Sequence, residues 1–257
     1  MARLLPVRPV TKAVSAVSAL VPDRLLTAGI ALTYRRFEPE LRRLDDFCPR
    51  RGTALDVGAW YGPWSRALAR QVDTVIAFEP NPEVAAVLAS TVPGNVRVVR
   101  SAASDHIGEE TLWVPGEGLG TEGVASLRAP ANPGARAVSV PTTTIDALDL
   151  ADVTMIKLDV EGAELAALRG AADTLRRCRP VLLIELEYRH GPVDEVLAFL
   201  GEFGYSGEIL LGRTWRPLAG FDLAGHQRAV APRFRGYLHT VLLGGPRYVN
   251  NILFRAP

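Results

Sequence analysis

Acidic side chains concentrate at the end of a short apolar run, "MIKLDVEGAE", which holds Lys157 in its middle. Asp159 and Glu161 follow the run directly, and a carboxylate in that place can orient or deprotonate a bound group. Gly162 bends the chain after them, so Glu164 falls in the first turn of the next helix, where the helix dipole favours a carboxylate. We therefore expect Asp159 and Glu161 to face a substrate and Glu164 to be structural.

A second polar group ends a later apolar run, in "VLLIELEYRHG". An unperturbed imidazole pKa of about 6.5 makes histidine an effective base near neutral pH, so we expect His190 to be the general base, with Asp159 as the alternative. Glu185 lies inside the apolar run, where a charge is costly unless it is paired, and Lys157 is its expected partner.

The same side chains offer a metal-dependent alternative. Asp159, Glu185 and His190 supply the hard oxygen and imidazole ligands that bind divalent cations. No HxD or dense acidic motif accompanies them in the sequence. We therefore expect no metal in the reaction.

Glycines mark a ligand-binding turn in "ALDVGAWYGPWSRALAR". Asp56 ends an apolar run, Gly58 and Gly62 allow the backbone to approach a ligand, and a helix follows. The dinucleotide fingerprint needs glycine at the third and sixth positions from Gly58, where this chain has Trp60 and Pro63. These residues disfavour a dinucleotide such as NAD, and a P-loop is disfavoured more strongly because no Lys-Ser/Thr pair follows Gly62.

Further acids lie at the ends of the next two apolar runs. Glu79 follows Asp56 by 23 positions and can accept both ribose hydroxyls of an adenosine cofactor. Ser104 and Asp105 can meet the adenine edge, since a carboxylate accepts from its exocyclic amine. Acids and glycines at three successive strand ends suit S-adenosylmethionine, which is cationic and carries no phosphate. The expected cofactor-binding residues are Asp56, Gly58, Ala59, Tyr61, Gly62, Glu79, Pro80, Ser104 and Asp105.

These residues need a sheet whose strands end at one edge. From Thr53 onward, short apolar runs alternate with helical patterns of about ten residues, which is typical of βαβ units and a mainly parallel sheet. The expected strands are 54–57, 74–78, 96–100, 155–158 and 181–186, and the expected helices are 63–70, 82–90, 163–177 and 193–202. We expect an N-terminal helical cap over 1–50 and one domain over 51–257, with a β-rich insertion over the active site at 106–150.

Seven motifs together resemble those of the FkbM-type S-adenosylmethionine-dependent methyltransferases. They are "DVGAWYG", "AFEPNP", "AASD", "VPTTTIDAL", "IKLDVEGAELAALRGA", "PVLLIELEYRH" and "NNILF". The resemblance covers roughly Thr53 to Phe254. It implies a Rossmann-like class I methyltransferase fold, a mainly parallel seven-stranded sheet with helices on both faces. The family usually has Asn where this chain has Trp60.

The resemblance also implies the reaction, which is methyl transfer to a hydroxyl of a sugar or other small secondary metabolite. An N-methyltransferase acting on a small molecule is the alternative within enzymes. A non-catalytic cofactor-binding partner subunit is the alternative outside them, and the presence of Asp159, Glu161 and His190 together favours an enzyme.

Composition limits the partners. With 29 basic and 28 acidic side chains, the net charge of +1 gives no large single-sign field to attract nucleic acid. The two cysteines form no CxxC pair, which favours neither disulfides nor structural zinc and suits a reducing cytoplasm. The longest uncharged run near the N-terminus, 13–22, is too short to span a bilayer. We expect no stable membrane insertion, and an amphipathic surface helix stays open for this stretch.

Overall fold

A computed structural model describes residues 21–115, 125–128, 134–231 and 247–257 of the chain. Most of the basic N-terminal stretch and part of the expected insertion lie outside these residues. The helices are α1 Asp23–Phe37, α2 Pro63–Leu68, α3 Pro82–Thr91, α4 Glu164–Arg169, α5 Ala172–Cys178, α6 Val193–Glu202 and α7 Leu223–Val230, with short 3-10 helices at Pro39–Asp46 and Asp146–Leu148.

Two sheets are present among the described residues. The strands are β1 Thr53–Val57, β2 Thr74–Phe78, β3 Val96–Val99, β4 Ala102–Ala103, β5 Gly108–Val114, β6 Arg136–Thr143, β7 Val153–Leu158, β8 Val181–Glu185, β9 Ser206–Leu211, β10 Thr214–Pro217 and β11 Asn251–Arg255. The main sheet has the order β10-β9-β11-β8-β7-β1-β2-β3, and the small sheet has the order β4-β6-β5.

Five neighbouring strands of the main sheet run parallel to one another: β8, β7, β1, β2 and β3. Strand β11 inserts antiparallel between β8 and β9, and β10 pairs antiparallel with β9. The predicted mainly parallel α/β architecture is confirmed, and β10 adds an eighth strand at one edge. Because β1, β2, β7 and β8 run in the same direction, their carboxyl ends meet at one edge, which is where open α/β sheets bind ligands.

Helices cover both faces of the main sheet. Alternate strand residues point to opposite faces. One face, which includes Leu55, Ile156 and Leu182, packs against α4, α5 and α6. The other face, which includes Met155 and Leu183, packs against α2 and the N-terminal 3-10 helix. Every helix in the described part of the chain is too short or too polar to cross a bilayer.

The expected helix over 163–177 is interrupted. The carbonyl of Gly170 accepts a hydrogen bond from the amide of Asp146 (2.9 Å) and takes no part in the helical hydrogen bonds. Two helices therefore form, α4 and α5. A Cβ on Gly170 would collide with the carbonyl oxygen of Ser104. The interruption thus lets the chain after β4 pack tightly against the end of α4.

Candidate active site

A pocket opens at the carboxyl ends of β1, β2 and β7. Its polar wall is formed by Gly58, Glu79, Asp159 and Glu161. Its apolar wall comes from the ends of β2 and β7, from β4, from β5 and from the segment around residue 126, and includes Phe78, Pro80, Ala102, Ala103, Leu112 and Leu127. The predicted acids from two separate strands are therefore brought together around one cavity.

Gly58 sets the shape of this edge. Its φ of +82° lies in the left-handed region that favours glycine, and a Cβ there would collide with the carbonyl oxygen of Asp159. Its amide donates to the carbonyl of Phe78 at 3.1 Å. The turn after β1 thus lies directly against the end of β7, which places Asp159 at the pocket.

Glu79 is held with its carboxylate in place. It is 7% exposed, and its two oxygens accept from the backbone amides of Trp60 and Asn81, each at 2.8 Å. Burial raises the pKa of Glu79 to about 7, against the opposing effect of these two hydrogen bonds. Each carboxylate oxygen has a second lone pair, so Glu79 can still accept hydrogen bonds from a ligand.

The pocket suits a cationic ligand without phosphate. Glu79, Asp159 and Glu161 all line it, and no lysine or arginine is found among its described lining residues. A phosphate-bearing cofactor would lack the basic partners that such groups need. The donor set therefore fits S-adenosylmethionine, whose sulfonium and amino groups are positive.

Some predicted cofactor-binding residues lie near the pocket without lining it. Asp56 is buried and accepts from the Ser65 hydroxyl at 2.5 Å, and burial raises its pKa. Ala59, Tyr61 and Gly62 lie in the same turn, outside the lining. Ser104 is buried beneath the surface, whereas Asp105 is exposed and pairs with His106 at 3.0 Å. The lining passes instead through Ser101, Ala102 and Ala103.

Lys157 supports Asp159 from behind the pocket. Its side chain is 1% exposed, and its Nζ donates to Asp159 Oδ2 at 2.9 Å. Burial opposes the charge of Lys157, but the carboxylates of Asp159 and Glu38 raise its pKa above the usual range. Lys157 and Glu185 interact through their charges, as expected, but they are not in direct contact: Glu185 accepts from Asn250 Nδ2 at 2.5 Å, and Lys157 donates to Asp159.

Three carboxylates gather around this lysine. Oxygens of Glu38, Asp159 and Glu185 lie within 4.8 Å of one another. Glu38 lies between α1 and the first 3-10 helix and accepts from Trp64 Nε1 at 2.5 Å, and burial raises its pKa to about 7. The alternative metal site joins Asp159 and Glu185 with His190; the third side chain beside these two carboxylates is Glu38, and His190 contacts Glu161 instead.

Glu161 lines the pocket and contacts His190, which is not itself among the lining residues. His190 Nδ1 lies 2.5 Å from Glu161 Oε2 and 3.7 Å from Glu187 Oε2. The hydrogen bond with Glu161 raises the pKa of His190 despite its partial burial. Burial raises the pKa of Glu161. A base oriented by a carboxylate through one ring nitrogen is the usual arrangement for proton removal.

The backbone brings these two residues together. Glu161 has a φ of +48°, and its carbonyl accepts from the Ser126 hydroxyl at 2.7 Å. A Cβ on Gly162 would collide with the carbonyl oxygen of His190, so the two loops meet at a glycine. Glu164 is buried and accepts from the Gly162 amide at 2.8 Å, which is a structural contact.

A family model described as the methyltransferase FkbM domain matches residues 56–206. The chain belongs to the FkbM methyltransferase family. The FkbM match contains Glu79, Asp159, Glu161 and His190, so the whole pocket edge lies within it. Glu38, which completes the carboxylate group around Lys157, lies outside the matched range.

Solved structures match the chain at low sequence identity. An FkbM methyltransferase from Methylobacillus flagellatus KT is 16% identical, with a TM-score of 0.47 over 80% of this chain, and this chain spans only 44% of that protein. A precorrin-6y C5,15-methyltransferase from Geobacter metallireducens GS-15 is 14% identical, with a TM-score of 0.44, 84% of this chain covered and 85% of that one. An rRNA methylase from Streptococcus thermophilus is 10% identical, with a TM-score of 0.46 and coverages of 86% and 96%. No curated protein matches the chain.

Trp60 is the departure of this chain from the FkbM pattern. It lines the pocket in a left-handed conformation, with φ of +49°. Its ring centroid lies 5.9 Å from that of Tyr34 and 5.0 Å from that of Tyr61. Its indole Nε1 is buried without a hydrogen-bond partner among the described residues. The polar amide usual at this position is thus replaced by an aromatic side chain that packs against the N-terminal helix.

Several lining residues carry no sequence signal. Leu112, Ala125 and Leu127 are apolar residues of the segment that follows β4, and nothing in their types distinguishes them from core residues. Glu187, which lies beside His190 and binds Arg189, alternates with Glu185 in "IELEYRH".

Proposed function

We propose that this protein transfers the methyl group of S-adenosylmethionine to a hydroxyl oxygen of a sugar or other small secondary metabolite, with His190 as the base. The observation that carries the proposal is the contact of His190 with Glu161, 2.5 Å away, since Glu161 lines the same pocket as Glu79 and Asp159. Two free cysteines, Cys48 and Cys178, support action in the reducing cytoplasm.

Different residues of the pocket would bind different parts of the cofactor. Glu79 would accept the ribose hydroxyls, and the apolar wall around Phe78 and Leu112 would contact the adenine. Asp159 and Glu161 would give the negative field that a cationic sulfonium requires. When bound, the cofactor supplies an electrophilic methyl group. The roles of Ser104 and Asp105 toward the adenine, and those of Asp56, Ala59, Tyr61 and Gly62, stay predictions.

A hydroxyl acceptor has to lose a proton as its oxygen attacks the methyl carbon. Glu161 engages Nδ1 of His190, which leaves Nε2 to take that proton. One oxygen of Asp159 is already bonded to Lys157, and the other can orient the acceptor hydroxyl. The proton therefore passes from the acceptor to His190, while Lys157 holds Asp159 in position.

The oriented histidine separates this proposal from its alternatives. A neutral amine attacks through its own lone pair and needs no base beforehand, so an N-methyltransferase would make less use of the Glu161–His190 pair. A non-catalytic subunit would need neither residue. The presence of both, in contact, favours methyl transfer to oxygen.

The direct test is the transfer of a labelled methyl group. We expect the purified protein to move label from S-adenosylmethionine to hydroxyl groups in a panel of sugars and small hydroxylated metabolites, with S-adenosylhomocysteine formed in equal amount. Matched amines of the same scaffolds are the control. Label only in the amines would favour the N-methyltransferase, and cofactor binding without transfer to any extract of the source cells would favour the non-catalytic subunit.

Metal removal is expected to leave this activity unchanged. The cation beside Asp159 is the ammonium of Lys157, and the Glu185 carboxylate accepts a hydrogen bond from Asn250. Initial rates should therefore be the same before and after dialysis against EDTA. A rate that collapses in EDTA and recovers with added magnesium would contradict the metal-free mechanism.

A further inference from the structure

Helix α1 exposes an apolar stripe. Leu25 is 65% exposed and Leu32 is 73% exposed. They lie about two helical turns apart and therefore on the same side of the helix, with Ala28 and Gly29 exposed between them. A Cβ on Gly29 would meet no atom within 4 Å. The Leu25–Leu32 stripe is thus open to its surroundings.

The opposite side of α1 fixes the helix to the domain. Thr27 is fully buried, and its hydroxyl oxygen accepts from Arg66 of α2 at 2.9 Å. Tyr34 packs against Trp60, which lines the pocket. Because the helix is held from this side, the stripe faces outward as part of a fixed surface.

Uncompensated positive charge borders the stripe. Arg35, Arg66 and Arg70 line a groove between α1 and α2 together with Leu32. Within the described part of the chain, none of these three arginines forms an ion pair, and Arg66 Nε is buried without a partner. Burial and the neighbouring charge of Arg70 lower the pKa of Arg66. An anion would relieve this repulsion.

We propose that this face docks the protein on an anionic lipid bilayer, with Leu25 and Leu32 entering the boundary between headgroups and acyl chains and the exposed Arg35 and Arg70 pairing with lipid phosphates. Basic amphipathic helices bind membrane surfaces in this way. The sequence before α1 adds Arg3, Arg8 and Lys12 and no acid as far as residue 22. Nucleic acid would use the arginines but leave the leucines exposed to water, so the apolar stripe favours the bilayer.

Co-sedimentation of the full chain with vesicles tests the proposal. We expect binding to phosphatidylcholine vesicles that contain phosphatidylglycerol, little binding to phosphatidylcholine alone, and weaker binding at high salt. The Leu25→Ser/Leu32→Ser pair should weaken binding at least about 10-fold. The Arg35→Gln/Arg70→Gln pair should weaken it roughly 30-fold. All four side chains lie on the α1 face or its groove, away from the methyl-transfer pocket.

Ile107→Ser is the matched control, because Ile107 is 72% exposed but lies far along the chain, before β5. It should leave vesicle binding unchanged. The proposal would be overturned by equal binding to both kinds of vesicle, by no binding to either, or by an equal loss in the control. Binding to single-stranded RNA that depends on the arginines but not the leucines would assign the face to nucleic acid instead. A dimer that the leucine pair abolishes would assign it to a second copy of the chain.

Discussion

Replacement of Glu79 by alanine is expected to lower the affinity for S-adenosylmethionine at least about 100-fold, because two charge-assisted hydrogen bonds to the ribose are lost. Isothermal titration calorimetry measures the effect directly. The carboxylate lies at the pocket, held by the amides of Trp60 and Asn81, so its geometry is set before a ligand arrives. Unchanged affinity in a folded Glu79→Ala variant would contradict the ribose assignment.

The pH dependence of the same binding gives a second readout. The pKa of Glu79 is raised to about 7 by burial, so the carboxylate gains a proton as the pH falls below that value. A protonated carboxyl accepts less well, and the affinity of the wild-type protein should therefore fall as the pH drops through 7. Glu83→Ala is the matched control, since Glu83 is an exposed glutamate that does not line the pocket. It should keep both the affinity and its pH dependence.

Replacement of His190 by alanine is expected to lower turnover by about 100-fold to 10,000-fold while cofactor affinity stays at the wild-type value, because the base acts on the acceptor. Initial rates of S-adenosylhomocysteine formation and calorimetry with the cofactor separate the two effects. His190→Gln can still bond to Glu161 but cannot take a proton at neutral pH, so it should be as slow as the alanine variant. Near wild-type rates in either variant would assign the base to Asp159.

The pH profile of the wild-type enzyme tests the same role. Glu161 raises the pKa of His190 above 6.5, and a base acts only in its neutral form. The rate should therefore rise with pH along an acid limb whose midpoint lies above 6.5. Glu161→Gln removes the negative partner and should move that midpoint to lower pH. A midpoint that does not move would mean that His190 is not the group observed.

The strand-end acids could be predicted because their signal is local. Glu79 and Asp159 each end an apolar run that is followed by a helix, and the ends of parallel strands meet at one edge of the sheet. The alternation of such runs with helical patterns also predicted the main sheet. The interruption at Gly170 could not be predicted, because it depends on a hydrogen bond from Asp146, which is distant in the chain.

The composition of the site was predictable only in part. The sequence placed His190 and Glu161 among the candidates but did not indicate their contact, which depends on two loops that meet at Gly162. Ser104 and Asp105 follow the expected strand end, whereas the residues of this segment that line the pocket are Ser101, Ala102 and Ala103. The residue type of an apolar lining residue such as Leu112 does not indicate that its side chain faces a cavity.

The sequence alone predicted the fold class and the acidic edge of "MIKLDVEGAE", because these depend on periodicity, glycine placement and neighbouring residue types, and it indicated the family through the resemblance of its motifs. The tertiary structure alone decided how that acid cluster divides. Lys157 bonds to Asp159, Glu38 lies beside them from the segment that follows α1, and Glu161 contacts His190. The physical reason is that a buried charge takes the partner that packing brings within hydrogen-bond distance, and packing joins segments that are far apart in the chain.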